Sequence, residues 1–121
     1  MARNEKAISY QQSAYSKKKP DVRIMILDDI YRVILERKKN PSEDSYVSSL
    51  FAKGKDEILK KIGEEAIEVI IASKSADRLQ ITNELADLWF HCMVLMAEDG
   101  LSHSDVLKEL EGRFGKKGGR P

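Results

Sequence analysis

A single cysteine, Cys92, stands in the 121-residue sequence. It excludes an internal disulfide framework, and the lack of a CxxC pair or a Cys/His cluster excludes a structural zinc site. Only three prolines and seven glycines are present, which favours helices over a sandwich or barrel. No apolar run approaches the roughly 18–20 residues needed to cross a bilayer, so no membrane span is expected. Residues 1–19 lack the apolar stretch of a secretory signal, and a reducing, cytoplasmic setting is the expectation. No segment alternates with period two, so no sheet is expected, and no internal repeat is found. The length suits one domain with short tails.

The formal net charge of +1 conceals a segregation. Arg3, Lys6, Lys17, Lys18 and Lys19 against Glu5 give the first twenty residues +4, and Arg113, Lys116, Lys117 and Arg120 give the last ten +4. The middle therefore carries −7. The basic residues lie outside the patterned region, which speaks against a nucleic-acid interface and for solvated tails. The expected division is a flexible basic tail over 1–22, an all-α domain over 23–114, and a Gly/Lys-rich tail over 115–121.

From Ile24 onward, Leu27, Ile30, Tyr31, Ile34 and Leu35 recur at helical spacing until Lys39-Asn40-Pro41. Ser42 or Ser45 opens a shorter helix that runs to Gly54. A third helix is expected from about Lys55 to Ser73, and a fourth from Asp77 to Glu98, with Asp99-Gly100 as a left-handed stop. Ser102 starts the last, with Asp105 placed for a capping box, and Val106, Leu107 and Leu110 carry it to Phe114.

The third and fourth helices hold the chemistry. At 100° per residue from Glu64, Glu68 falls at about 40° and Glu65 at about 100°. Ile67, Ile71, Ile62 and Val69 border that arc. On the next helix Glu84, Asp87 and His91 share an arc of about 60°, bordered by Leu88, Leu95, Val94 and Phe90. The short link near Lys74 to Ala76 makes the two helices an antiparallel hairpin, which brings the polar stripes together. Carboxylates converging on an apolar seam repel, and burying them unpaired costs several kcal/mol each. Lys60 and Lys61 cannot serve all five acids, and no arginine lies in either stripe. A hard divalent cation held by oxygen resolves the conflict: Mg2+ by preference, with Mn2+ acceptable. Two rival explanations are helix-surface charges paired with lysines and a buried ionic network. A di-iron bundle is disfavoured, because it uses Glu-x-x-His, which occurs nowhere here.

The arrangement Glu64-Glu65-Ala66-Ile67-Glu68, fifteen residues, then Glu84-Leu85-Ala86-Asp87 resembles the EExxE…ExxD signature of the all-α nucleoside triphosphate pyrophosphohydrolases, the MazG-like superfamily. Further stretches resemble its phosphoribosyl-ATP pyrophosphatase family: Asp44-Ser45-Tyr46 with Leu50; Ala52-Lys53-Gly54; Lys60-Lys61-Ile62-Gly63-Glu64-Glu65-Ala66; and Glu84 through His91. Phe90 stands where that family commonly has tyrosine. The resemblance runs from about Leu27 to Phe114; the N-terminal tail through Pro20 has no counterpart in it, and Gly115 to Pro121 lacks the Ser-Gly and Glu-Lys that often close family members.

The resemblance implies hydrolysis of the α–β phosphoanhydride of 1-(5-phosphoribosyl)-ATP, giving the AMP derivative and pyrophosphate in the second step of histidine biosynthesis. It makes Glu65, Glu68, Glu84 and Asp87 the expected metal ligands, while Glu64 either completes that set or acts as general base. His91 either orients the Asp87 carboxylate or is a hydrogen-bonded core residue. Lys53, Lys60 and Lys61 meet substrate phosphates or remain solvated. Tyr46 stacks on a base, bonds to phosphate, or packs under the hairpin. Trp89, Phe90, Met93 and Met96 are expected in core or subunit interface, and Cys92 in inert packing. The broad apolar faces of the hairpin, with the resemblance, imply a homodimer in which flanking helices complete a four-helix-type bundle. The alternatives are a MazG-like (d)NTP pyrophosphatase built on the same acids and a non-enzymatic dimerisation module.

Overall fold

The computed structural model describes residues 22–115. Among them are five helices and no strand: α1 (Val22–Lys39), α2 (Tyr46–Lys53), α3 (Lys55–Ser75), α4 (Arg78–Glu98) and α5 (His103–Arg113). The all-α expectation is met. The two expected basic tails lie outside the described residues, save Val22 and Gly115. The chain divides into two compact units, residues 1–30 and 31–121. Of the first, the described part is the helical run from Val22 to Ile30; every candidate site residue lies in the second.

Local chemistry sets the helix ends. Ser45 caps α2 by accepting from the Ser48 amide at 3.1 Å, satisfying one of the donors that a helix start leaves open. Asp77 does the same for α4 through the Leu79 and Gln80 amides. Asp105 accepts from the Ser102 amide at 2.9 Å to open α5. At the end of α4, Leu101 donates to the Met96 carbonyl at 2.8 Å over Gly100, whose φ of 72° is left-handed. This is a Schellman stop. The α3–α4 link is shorter than expected: α3 continues to Ser75, and Ala76 takes the left-handed cap at φ 59°.

Gly54 alone separates α2 from α3. Its φ of 102° and ψ of 174° lie in a region that side-chain-bearing residues essentially avoid. That one residue turns the chain so that α2 packs on α3, while α3 and α4 pack along each other. The hairpin is closed at its far end by Lys55 of α3, 2.8 Å from Asp99 just after α4. Lys38 donates to the Ala97 carbonyl at 3.0 Å and lies over the Phe51 ring, placing a cation at the negative end of α4. Ile34, Leu50, Ile58 and Val94, one from each of α1 to α4, are sealed from water. Buried Ser48 is satisfied, donating to the Arg37 carbonyl at 2.9 Å and accepting from the Ser42 amide at 3.1 Å. It fixes the α1–α2 loop, and with it the start of α2.

Candidate active site

Three of the sequence-derived acids converge. Glu65 on α3 and Glu84 and Asp87 on α4 each offer a carboxylate oxygen, and these oxygens lie within 4.8 Å of one another. Glu65 and Glu84 are half-buried and Asp87 is exposed. Their mutual repulsion is visible in the Glu84 carboxyl, held above the usual carboxylate range by partial withdrawal from water, then by Glu65, Asp87 and Glu68. A cation placed among them would offset that repulsion. The donor set is all oxygen, which fits a hard divalent ion.

The other acids stand apart. Glu68, one turn beyond Glu65, is exposed and outside the group of three, though near enough to raise Glu84. Glu64 turns to Lys61, its carboxylate 3.6 Å from the ammonium. An acidic stripe sealed in a dry seam is therefore not what a single chain forms. Glu64, Glu68 and Asp87 face water, and so do the flanking Ile67 and Ile71. Trp89 is 62% exposed, whereas Met93 is buried and Phe90 and Met96 are half-buried.

His91 is buried at 6% exposure. Its Nδ1 meets the backbone carbonyl of Asp87 at 2.7 Å, not the Asp87 carboxylate. Its Nε2 lies 2.7 Å from the Tyr46 hydroxyl at the start of α2, with the two rings edge to face. This link joins residues 45 apart, and nothing in the local sequence announces it. Withdrawal from water is the largest cause of the raised Tyr46 hydroxyl pKa; Lys61 opposes the rise, and Glu65, Glu57 and Asp87 add to it. The phenol thus feels the charges of these carboxylates, Glu57 outside the two acidic stripes among them. Lys61 is half-buried on the Tyr46 side of α3, while Lys53 and Lys60 are exposed. Cys92 is half-buried, and burial pushes its thiol up, which keeps it protonated and unreactive.

Comparison with known proteins shows the family of this chain. A family model described as phosphoribosyl-ATP pyrophosphohydrolase matches residues 27–114. A protein of Geotalea daltonii named phosphoribosyl-ATP pyrophosphatase is 55% identical over 93 residues, covering 77% of this chain and 88% of the relative. Proteins of the same name from Methylococcus capsulatus and Bacillus mycoides are 54% identical over 95 residues and 52% over 91. The alignments cover 76% and 75% of this chain and 90% and 85% of those relatives. The matched span runs from within α1 to the end of α5 and includes every acid of the two stripes, and the chain belongs to the phosphoribosyl-ATP pyrophosphohydrolase family.

Proposed function

We propose that this chain hydrolyses the α–β phosphoanhydride of 1-(5-phosphoribosyl)-ATP, yielding 1-(5-phosphoribosyl)-AMP and pyrophosphate in histidine biosynthesis. Family membership supports the substrate. The observation that carries the chemistry is the grouping of Glu65, Glu84 and Asp87. These three hold a divalent cation, Mg2+ or in its place Mn2+, with Glu68 one turn away as a further oxygen donor. When bound, the cation supplies positive charge to the phosphate oxygens of the scissile anhydride. The chain's own groups do the rest. Glu64, outside the group of three and exposed, is the carboxylate left to take the proton of the attacking water. Lys60 and Lys61, on the same helix, and Lys53, at the end of α2, give cationic contacts to the polyphosphate.

The working unit is a homodimer, with residues 23–114 as its domain. Ile67, Ile70 and Ile71, at i, i+3 and i+4 on α3, are each more than half exposed, as are Leu79 and Trp89 on α4. Such a patch on a hairpin marks a contact surface, and a second hairpin is its natural complement. A cytoplasmic setting, with Cys92 reduced, completes the reading; among the described residues no helix is long and apolar enough to cross a membrane.

Pyrophosphate release assayed with phosphoribosyl-ATP and a panel of dNTPs, with Mg2+ or with EDTA, tests this. Preferred, Mg2+-dependent turnover of phosphoribosyl-ATP is expected. Preference for any dNTP would move the chain to nucleotide-pool cleaning, and indifference to both Mg2+ and EDTA would favour a non-enzymatic module.

A further inference from the structure

We propose that Tyr46 is a hydrogen-bond acceptor at the rim of the carboxylate cluster, fixed in that polarity by His91, and that it positions a hydroxyl-bearing group, not a phosphate oxygen. The inference rests on the pyrophosphohydrolase reading of the cluster and deepens it. It follows from counting hydrogens. The Asp87 carbonyl has only lone pairs to offer, so the Nδ1 of His91, 2.7 Å away, must carry the hydrogen between them. In the neutral ring the hydrogen on Nδ1 leaves Nε2 bare, and a bare nitrogen only accepts. The Tyr46 hydroxyl, 2.7 Å from Nε2, is therefore the donor. A phenol has one hydrogen, and here it is spent.

What remains on Tyr46 is a pair of acceptor sites on a side chain 48% exposed, anchored to the turn of α4 that carries Asp87. The carboxylates nearby are acceptors too, as are the oxygens of a polyphosphate. None of them can pair with Tyr46. Lys61 reaches Glu64 at 3.6 Å. The partner that fits is an O–H group brought by the ligand: a ribose hydroxyl of the nucleotide or a water of the cation. His91 acts through Tyr46 and is a positioning residue. Its burial and its two short hydrogen bonds hold the phenol in one orientation.

The test uses the full chain. The ring-nitrogen NMR spectrum of His91 should show Nδ1 protonated and Nε2 bare. Tyr46→Phe keeps the ring and deletes the acceptor. Mg2+ titrated without nucleotide and KM for phosphoribosyl-ATP are then compared with wild type, with thermal melting as the check that the fold is kept. One of the two constants should weaken by roughly 2- to 10-fold, the range for one lost hydrogen bond, with kcat changed less. Weaker Mg2+ uptake assigns the partner as water of the cation; an effect confined to KM assigns a nucleotide hydroxyl. A protonated Nε2 in the wild type, or both constants unchanged in the variant, overturns the proposal. Failure of the wild type to hydrolyse phosphoribosyl-ATP would instead remove the functional reading, while the nitrogen spectrum still decides the polarity of Tyr46.

Discussion

Glu65→Gln separates a cation site from an ordinary acidic surface most directly. It keeps the shape of the side chain and removes one of three carboxylates whose oxygens come within 4.8 Å. Without metal, repulsion is relieved, so the variant is expected to melt no lower than wild type. The Glu84 carboxyl should fall back toward its ordinary range, because Glu65 is the foremost charge holding it up. With Mg2+ the order reverses. At ten times the wild-type Kd the bound ion stabilises the fold by about 1.4 kcal/mol, roughly 7 °C in Tm for a domain of this size. Loss of one of three side-chain ligands should weaken affinity at least about tenfold, as loss of a merely supporting group already does. The variant then gains no more than about 0.4 kcal/mol at the same concentration. Calorimetric melting in EDTA and in Mg2+, with pyrophosphate release measured alongside, reads all of this. A variant that melts lower in EDTA yet gains as much from Mg2+ as wild type would refute the reasoning and leave the acids as a structural network.

Four further outcomes are expected. Because the folded apo chain holds the Glu84 proton more firmly than the unfolded chain does, it binds more protons in the window just above the ordinary carboxylate range, and this contribution to stability falls as pH rises through it. In EDTA, wild type should therefore lose ground to Glu84→Gln as pH rises above about 4, the ordinary carboxylate range; a constant difference in Tm would contradict this. Gly54→Ala forces a side chain into φ 102°, ψ 174° and should cost on the order of 1–3 kcal/mol by urea unfolding, whereas a wild-type midpoint would mean that the α2–α3 joint relaxes freely. Ala76→Gly relieves a left-handed cap and should stabilise by up to about 1 kcal/mol, seen as a higher Tm. Ile70→Glu places a charge on an exposed apolar face and should convert dimer to monomer by sedimentation; a wild type that is monomeric at all concentrations would remove that face from consideration as an interface.

The parts legible in the sequence are those that act within a helical turn. Ser45 and Asp77 mark helix starts because their side chains accept from amides two or three residues on, and Ser102 with Asp105 because the Asp105 carboxylate accepts from the amide three residues back. Gly100 marks a stop because a left-handed residue suits glycine. The spacing of Glu65 and Glu68, and of Glu84 and Asp87, likewise reports which acids share a face. Periodicity stops there, since it fixes angles about one helix axis and says nothing of how two helices are turned against each other.

The rotation of α3 against α4 selected Glu65 to meet Glu84 and Asp87, left Glu64 to Lys61, and put Glu68 at the margin. Burial shows the same limit. Ile67 and Ile71 read as core from their neighbours, yet a single chain leaves them in water, because covering them takes a surface that this hairpin does not itself supply. Tyr46 and His91 lie too far apart in sequence for any local pattern to pair them; the turn at Gly54 and the packing of α2 on α3 do so. The sequence by itself determined the helices, their ends and the acids on offer, since these depend on backbone hydrogen bonds and side-chain period. Only the tertiary structure decided which acids converge and that Tyr46 meets His91, since both depend on distances between helices that packing alone sets.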